Sequence, residues 1–241
     1  ILGFMDYGTP SQRNAVLRLR TPAMRAAIEQ ALATHAAERA VDVMAELDAR
    51  LEARPQDDVV NIYPSVAASR IAMAFDLRGP HFTVDTACSS ALAAIDIAIR
   101  GLMAGRYDTV VTGAASPQVT PLMLVAQSRL GLLAAERVAP FNGDGTLLGE
   151  GVGLVVLRRL EDALRDEQKI LAVVRGLGAA TATDGRAHFA SSPEAHVRAV
   201  TRAYERAGYA PDAVHYVEAH ANGVPEGDRV ERAALETVFG P

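Results

Sequence analysis

Apolar residues along the chain follow two patterns, short continuous runs of strand length and stripes that recur at helical spacing. The short runs, rich in β-branched residues or punctuated by glycine, predict strands at 82–84, 109–115, 149–157, 170–176 and 214–219. The stripes predict helices at 21–32, 41–51, 63–75, 91–99, 122–133, 161–167, 193–206 and 230–239. Strands that alternate with helices are typical of a mostly parallel sheet covered on both faces, so the predicted fold class is α/β.

Composition limits the classes of protein to which the chain can belong. Its 241 residues are 49% hydrophobic and 22% charged, which describes a globular chain able to bury a substantial core as one large domain or two half-domains. A formal net charge of −5 argues against a nucleic-acid or anionic-membrane surface, because phosphate binding needs clustered lysine and arginine. We therefore expect neither nucleic acid nor a membrane as a partner.

Cysteine and histidine usage indicates the compartment and argues against a metal. One cysteine cannot form an internal disulfide, and there is no secretory signal or long uncharged apolar span, so we expect a cytoplasmic protein. The six histidines are scattered and form no zinc-binding spacing with the cysteine. The chain starts at Ile1 rather than methionine and stops just after a helical pattern, so we expect it to be a piece of a longer protein.

The only cysteine, Cys88, falls where the predicted strand at 82–84 turns into the helix at 91–99. The first turn of a helix presents unpaired N–H groups and the positive end of the helix dipole, which favour a thiolate and can hold an oxyanion. The neighbouring Ala87, Ser89, Ser90 and Ala91 are small and leave room for a substrate. This pattern predicts a nucleophile; the alternative, a lone cysteine packed as a small hydrophobe, stays open at this point.

The second chemical candidate is His220, in the loop after the predicted strand at 214–219. Active sites of α/β folds are usually assembled at the carboxyl ends of parallel strands. If both strands end on the same side of the sheet, thiol and imidazole converge, and the imidazole serves as an acid, a base or a hydrogen-bond donor. The other five histidines lack this context, and surface or structural roles are predicted for them.

Three motifs carry a resemblance to a known family. Val84-Asp85-Thr86-Ala87-Cys88-Ser89-Ser90 resembles the active-site motif of β-ketoacyl synthases, above all the ketosynthase domains of modular polyketide synthases. Residues 140–142 with 149–157 resemble the glycine-rich strand of that family, and residues 217–220 with Gly227, Asp228 and Glu231 resemble its first histidine motif. The likeness runs from about Asn61 to the end, whereas residues 1–58 match loosely and lack the family's glycine-rich opening strand.

The resemblance implies a thiolase-like fold, layered α/β/α/β/α, in which two related halves stack and a homodimer forms about the central sheets. Residues 1–168 would form the N-terminal half of the ketosynthase, including the nucleophile elbow, and residues 169–241 the beginning of the C-terminal half. The family's later lysine and second histidine motif do not occur in the chain. We therefore expect the chain by itself to be incomplete for catalysis.

The resemblance also implies decarboxylative Claisen condensation in polyketide biosynthesis. Cys88 would hold the growing acyl chain as a thioester, with its own backbone N–H in the oxyanion hole, and His220 would stabilise the enolate formed when the malonyl unit loses CO2. Ser89 and Asn222 would contact substrate. Glu150 would support the site, although an exposed turn carboxylate is the alternative for this residue.

The histidine loop departs from the Gly-Thr-Gly-Thr that usually follows this histidine in the family. The positions here are Ala221, Asn222, Gly223 and Val224. Asn222 still carries a donor for a pantetheine amide, whereas Val224 has no hydroxyl. Substrate contacts in this loop are therefore expected to differ from the family pattern.

Partners and alternatives follow from the same resemblance. It implies an acyl carrier protein that delivers substrates on its phosphopantetheine, a homodimer and neighbouring polyketide synthase domains, with no metal and no cofactor of the chain's own. Two alternatives stand beside it. One is a thiolase-fold acyl transferase that moves chains without elongating them, and the other is a non-catalytic scaffold that dimerises or docks carrier proteins.

Overall fold

A computed structural model of the chain describes residues 1–4, 63–116, 119–181 and 192–240, together with the single positions Ala26, Gln30 and Ala45. It divides into two compact units. The first unit comprises Ile1–Leu122 and Glu150–Leu157, and the second comprises Met123–Gly149 and Arg158–Pro241.

Strands and helices alternate along the described residues. The strands are β1 Leu2–Phe4, β2 Thr83–Val84, β3 Thr109–Ser116 and β4 Gly151–Arg158. The helices are α1 Ser65–Ala74, α2 Ser90–Met103, α3 Pro121–Arg129, α4 Leu160–Arg165, α5 Pro193–Ala207 and α6 Pro225–Phe239. Short 3-10 turns cover Ala87–Ser89 and Pro211–Ala213.

The four strands form one sheet in the order β2-β1-β3-β4. β1 is parallel to both of its neighbours, with Leu2 aligned with Thr83 on one side and with Gly113 on the other. The predicted parallel sheet is confirmed for these pairs. β1 itself was not predicted, because three residues are too short to show a period and the strand is defined by partners far along the chain.

Helix α2 packs against β1 and β3 through a face of small residues. Ala94 and Ala98, one helical turn apart, are fully buried, and Leu102 continues the same face. Together with Ile1 and Val110 they form the core cluster of this unit. Because the contact face is made mainly of alanines, the helix backbone can lie close to the sheet and hold the turn that precedes α2 at the end of β2.

β3 and β4 approach each other most closely at a glycine. Gly113 has φ +145°, and a Cβ atom there would lie 2.0 Å from the carbonyl oxygen of Gly153. Only glycine both adopts this φ readily and has no Cβ atom to meet that carbonyl oxygen. On β4 the residues from Gly151 to Val156 are exposed, so the predicted covering of the sheet on both faces does not extend to this strand.

In the second unit, α5 packs against α6. Ser192 is the N-cap of α5, and its side-chain oxygen accepts from the N–H of Ala195. Proline occupies the first helical position. The ring of Tyr204 makes edge contacts with Tyr209 and Phe239, at centroid distances of 5.8 and 5.9 Å. These contacts fix α6, which carries the residues that hold the histidine loop.

The strands predicted at 170–176 and 214–219 are wrong for the described structure, which has no regular secondary structure in either segment. An apolar run becomes a strand only when a neighbouring strand supplies ladder hydrogen bonds, and neither segment has such a partner among the described residues. Leu171 is accordingly 85% exposed. The apolar pattern thus identified segments with the composition of a strand, but it could not show whether another strand lies beside them.

Alternate carbonyls just after the first of these segments are bound by arginines of α5. Arg206 donates to the carbonyl of Leu177 at 2.6 Å, Arg202 to that of Ala179 at 2.5 Å, and Arg198 to that of Thr181 at 3.5 Å. Side chains four residues apart on a helix thus meet carbonyls two residues apart on an extended segment. The arginines supply donors that a neighbouring strand would otherwise supply.

Two of the helix boundaries that differ from their predictions have a local cause. The helix predicted at 122–133 ends at Arg129, where Gly131 (φ +68°) and Leu132 donate to the carbonyls of Ser128 and Gln127 in a Schellman arrangement. The helix predicted at 230–239 begins five residues earlier, because proline at its first position starts the helix at Pro225. The helices predicted at 21–32 and 41–51 lie outside the described residues except at three helical positions.

Candidate active site

Cys88 lies in the 3-10 turn Ala87–Ser89 between β2 and α2, and its side chain is exposed. The predicted position at a strand-to-helix junction is therefore confirmed, and the alternative of a buried structural cysteine does not hold. The turn leads directly into α2, so the sulfur lies close to the positive end of that helix dipole.

Hydrogen bonds on both sides of Cys88 hold the turn. The N–H of Ala87, which has φ +53°, donates to Oδ1 of Asp85 at 2.8 Å. Ser90, 3% exposed, accepts from the N–H of Thr86 at 2.9 Å and donates to the carbonyl of Ala87 at 2.7 Å. A left-handed alanine costs about 1 kcal/mol, which these bonds offset. The turn is therefore fixed by its own sequence.

Ser89 and Glu150 belong to the same unit as Cys88. The Ser89 hydroxyl donates to Thr86, with the carbonyl oxygen at 2.8 Å and Oγ1 at 3.0 Å, so its single proton is used within the turn. The Glu150 carboxylate is exposed and accepts from the N–H of Val119 at 2.8 Å. The substrate contact of Ser89 and the supporting role of Glu150 stay predictions.

His220 lies in the second unit, in an irregular segment before α6, and its side chain is exposed. The backbone N–H groups of His220 and Ala221 donate to Oε1 and Oε2 of Glu231, both at 2.7 Å. Both oxygens of one carboxylate thus hold the backbone at the histidine. This two-point contact fixes the position of the loop relative to α6, although the loop does not follow a strand.

Asn222 lies beside His220. Its Nδ2 is 3.1 Å from Nε2 of His220, and its Oδ1 accepts from the N–H of Val224 at 3.0 Å. The structure therefore brings together two residues that the sequence analysis selected for different roles. The role of Asn222 toward a substrate stays a prediction.

Sequence analysis gave no role of its own to Asp228, which joins two of the motifs. Its carboxylate is 5% exposed and accepts from the N–H of Phe141 at 2.7 Å and from that of Gly223 at 3.2 Å. Arg232 lies over the ring of Phe141, 5.3 Å from its centroid, and donates to its carbonyl at 3.3 Å. Charged residues at 228 and 232, four apart on one helix, were the available signal.

Two further carboxylates in this unit have defined partners. Hydrogen bonds from the N–H groups of Arg137 and Glu136, at 3.0 and 2.9 Å, lower the pKa of Asp144 in the loop that follows Phe141. Glu218, two residues before His220, accepts from the Tyr216 hydroxyl, and this hydrogen bond raises the pKa of Tyr216. The Asp144 loop is thus held by charge-assisted hydrogen bonds to its own backbone, whereas the Tyr216–Glu218 contact is confined to the segment before His220.

The candidate residues are divided between the two units, with Cys88, Ser89 and Glu150 in the first and His220, Asn222 and Asp228 in the second. The convergence of thiol and imidazole stays a prediction. Among the residues that the structure describes, no three or more histidine, cysteine or acidic side chains are grouped as metal ligands would be. No helix in the described ranges is long and apolar enough to cross a bilayer.

Two family models match the chain. The model described as the beta-ketoacyl synthase N-terminal domain matches residues 21–163, and the model described as the beta-ketoacyl synthase C-terminal domain matches residues 171–241. Between them they cover both the segment that holds Cys88 and the segment that holds His220. These matches include the region where the sequence motifs were found and extend upstream of it, because the first begins at residue 21 rather than near Asn61.

Individual relatives agree with the family models. The chain is 41% identical over 179 residues to a phenolphthiocerol/phthiocerol polyketide synthase protein of Mycobacterium tuberculosis, and the match covers 72% of the chain and 10% of that protein. It is 41% identical over 181 residues to a spectinabilin polyketide synthase protein of Streptomyces orinoci, covering 73% of the chain and 5% of that protein. The chain thus spans about a tenth or less of the length of these relatives.

Among solved structures, the ketosynthase from module 6 of the bacillaene synthase of Bacillus subtilis is similar, with a TM-score of 0.69 and 32% identity. The similarity covers 73% of the chain and 32% of that structure. At this identity and TM-score, the chain is similar to that ketosynthase in both sequence and fold.

Proposed function

Because the chain belongs to the beta-ketoacyl synthase family and has its thiolase-like α/β fold, we propose that it is the ketosynthase region of a modular polyketide synthase. The reaction is a decarboxylative Claisen condensation. The enolate that a malonyl-type extender forms on losing CO2 attacks the thioester carbonyl of an acyl chain held on Cys88. A carbon–carbon bond forms, the bond between the acyl carbon and Sγ breaks, and the Cys88 thiolate is released. The exposed Cys88 in the turn before α2, within a matched family segment, is the observation that supports this proposal most directly.

Cys88 is the nucleophile of the first step. Its thiolate attacks the thioester carbonyl of an acyl carrier, a bond forms between Sγ and the acyl carbon, and the carrier thiolate leaves and takes up a proton. The exposure of Cys88 and the dipole of α2 support this role. The backbone N–H of Cys88 stabilises the oxyanion.

His220 acts in the second step. When the malonyl unit loses CO2, negative charge develops on its thioester oxygen, and an imidazole N–H near that oxygen stabilises the enolate. The contact of Glu231 with the backbone at His220 and Ala221 supports a fixed position for this residue. Asn222 contacts substrate in the same loop, whereas Glu150 holds the chain near Val119 in the other unit.

The partners follow from this reaction. An acyl carrier protein delivers both substrates on its phosphopantetheine, so the chain needs no metal and no cofactor of its own. Neighbouring polyketide synthase domains supply the acyl chain and process the product. A homodimer forms about the sheet, where β2 is an edge strand of the described sheet.

An acyl-transfer experiment tests the proposal. A full-length version of the protein is incubated with an acyl-carrier thioester, and peptide mass spectrometry follows the acyl group on Cys88 in the parent and in Cys88→Ala. Acyl mass on Cys88 is expected, and its absence would favour a non-catalytic scaffold. Addition of malonyl-carrier protein then separates condensation from simple transfer, since only condensation gives a lengthened β-keto product.

A further inference from the structure

The side-chain amide of Asn222 lies between a backbone N–H and an imidazole ring. Its Oδ1 is 3.0 Å from the nitrogen of Val224, and its Nδ2 is 3.1 Å from Nε2 of His220. One end of this amide only accepts hydrogen bonds and the other only donates them. Its orientation therefore determines which ring atom of His220 carries a proton.

The backbone determines the orientation of the amide. The N–H of Val224 is a donor only, so the amide atom that faces it must be the oxygen. An amide turned by 180° would place its NH2 group against this N–H and would lose the hydrogen bond. The NH2 group consequently faces His220.

An amide NH2 group facing Nε2 requires a lone pair on that ring atom. In neutral imidazole one nitrogen carries the hydrogen and the other accepts, so an accepting Nε2 places the hydrogen on Nδ1. In the other tautomer and in the imidazolium, Nε2 carries a hydrogen. This hydrogen and those of the Asn222 amide would then point at each other across 3.1 Å. We propose that Asn222 is a positioning residue that holds neutral His220 as its Nδ1–H tautomer.

The surrounding loop holds this contact in place. The N–H groups of His220 and Ala221 are bound by Glu231, and the N–H of Gly223 donates to the buried Asp228 at 3.2 Å. Together with the Asn222 contact to Val224, four hydrogen bonds fix the backbone on both sides of Asn222. The amide and the imidazole are therefore presented to each other by an ordered backbone.

The inference deepens the proposed function and, for its effect on rate, rests on it. Stabilising an enolate oxygen through Nε2 needs a hydrogen on Nε2, so the resting contact competes with that role. The substrate oxygen must displace the Asn222 amide, and the proton must pass from Nδ1 to Nε2 through solvent. Threonine, which the family usually has at position 222, lacks this amide, so Asn222→Thr is expected to raise malonyl decarboxylation.

Nitrogen NMR on the histidine ring tests the tautomer without any substrate. The chain is labelled with ¹⁵N-histidine and studied at about pH 8.5, where imidazoles are neutral. His220→Gln identifies the His220 signals. We expect the Nε2 signal in the downfield position of an unprotonated ring nitrogen and the Nδ1 signal in the upfield position of a protonated one. The reverse pattern would overturn the inference.

A variant of the same size and shape sharpens the test. In Asn222→Asp, one carboxylate oxygen still accepts from Val224 while the other accepts from the ring, so the tautomer is expected to reverse to Nε2–H. An unchanged pattern in Asn222→Asp would contradict the inference. Signals of the other five histidines report whether the variant is folded, and the spectrum of the parent remains decisive if it is not.

The outcomes distinguish this inference from the proposed function. A chain with the Nδ1–H tautomer that never takes up an acyl group on Cys88 would retain the inference and lose the function. A chain that takes up an acyl group on Cys88 but carries the hydrogen on Nε2 of His220 would retain the function and lose the inference.

Discussion

The backbone N–H of Phe141 donates a 2.7 Å hydrogen bond to Oδ2 of Asp228, a carboxylate at the start of α6. Oδ1 of the same carboxylate accepts from Gly223, three residues after His220. One buried side chain thus holds together the Phe141 turn and the histidine loop, two motifs far apart in sequence. Its two oxygens meet two N–H donors, so charge and geometry are matched.

Asp228→Asn is expected to destabilise the protein by about 1–3 kcal/mol. An amide offers one accepting oxygen, so the N–H of either Phe141 or Gly223 then faces an NH2 group. Urea denaturation measures the loss. Asp212→Asn, the same change at an exposed position, should leave the midpoint nearly unchanged; equal effects of the two substitutions would show that the paired hydrogen bonds of Asp228 contribute nothing.

Asp144 gives a pH-dependent contribution to stability. The N–H groups of Arg137 and Glu136 lower its pKa in the folded protein, so the stabilisation is present above the unfolded pKa, near 4, and is lost as pH falls through the folded pKa. An asparagine side chain does not titrate and would have no such dependence. We expect Asp144→Asn to melt below the parent at about pH 7 and the two melting curves to approach each other towards about pH 2.

A melting difference between parent and Asp144→Asn that is constant over this range would contradict the assignment. Glu226, whose pKa is lowered by its hydrogen bond to the exposed Arg229, provides the comparison. Glu226→Gln should change melting less at every pH, because an exposed ion pair contributes little.

Gly113→Ala is expected to destabilise the sheet by more than about 3 kcal/mol, through strain and overpacking. The added methyl would meet the backbone of Gly153 in a conformation that alanine rarely adopts. Gly153→Ala is the matched control on the facing strand, since a Cβ there would meet no atom within 4 Å. Thermal melting compares the two, and similar melting temperatures would refute the close approach of β3 and β4.

Arg202→Met tests the arginines that bind the segment after residue 176. Methionine keeps much of the apolar stem but removes the donor to the carbonyl of Ala179, and a loss of about 1 kcal/mol is expected. Arg198→Met should cost less, because the distance from Arg198 to the carbonyl of Thr181 is 3.5 Å. No loss of stability in Arg202→Met under urea denaturation would show that the carbonyl of Ala179 does not depend on this arginine.

On the proposed function, His220→Ala in a full-length version of the protein should lower malonyl decarboxylation by about a hundredfold or more while acylation of Cys88 is nearly retained. The reason is that the dipole of α2 acts on Cys88 without His220. Single-turnover assays measure the two steps separately, with the exposed His215→Ala as control. Equal losses in both steps would assign His220 to general support of the fold.

Local sequence predicted the elements whose stability is local. The turn at Cys88 was predicted correctly because the side chains of Asp85 and Ser90 bind backbone groups within four residues. Helices α2 and α5 were predicted because the apolar residues of each recur at helical spacing within one continuous stretch of sequence. The capping residue of α5 directly precedes that stretch.

Features that depend on distant partners were missed. The strand assigned at 170–176 has a strand's composition but no partner strand among the described residues, and β1 has too few residues to give a signal. Asp228 was recognised only as part of a motif, because its partner Phe141 cannot be inferred from spacing. Propensity is local, whereas pairing and burial of a polar group depend on which segments meet.

The position of β1 between β2 and β3 has a consequence for how the sheet assembles. β2, α2 and β3 are contiguous in sequence, so they can associate with little loss of chain entropy, leaving a gap one strand wide. Leu2 is aligned with both Thr83 and Gly113, so β1 completes both of its ladders only when both neighbours are present. Among β1, β2 and β3, the strand that is synthesised first therefore depends for both ladders on strands that are synthesised after it.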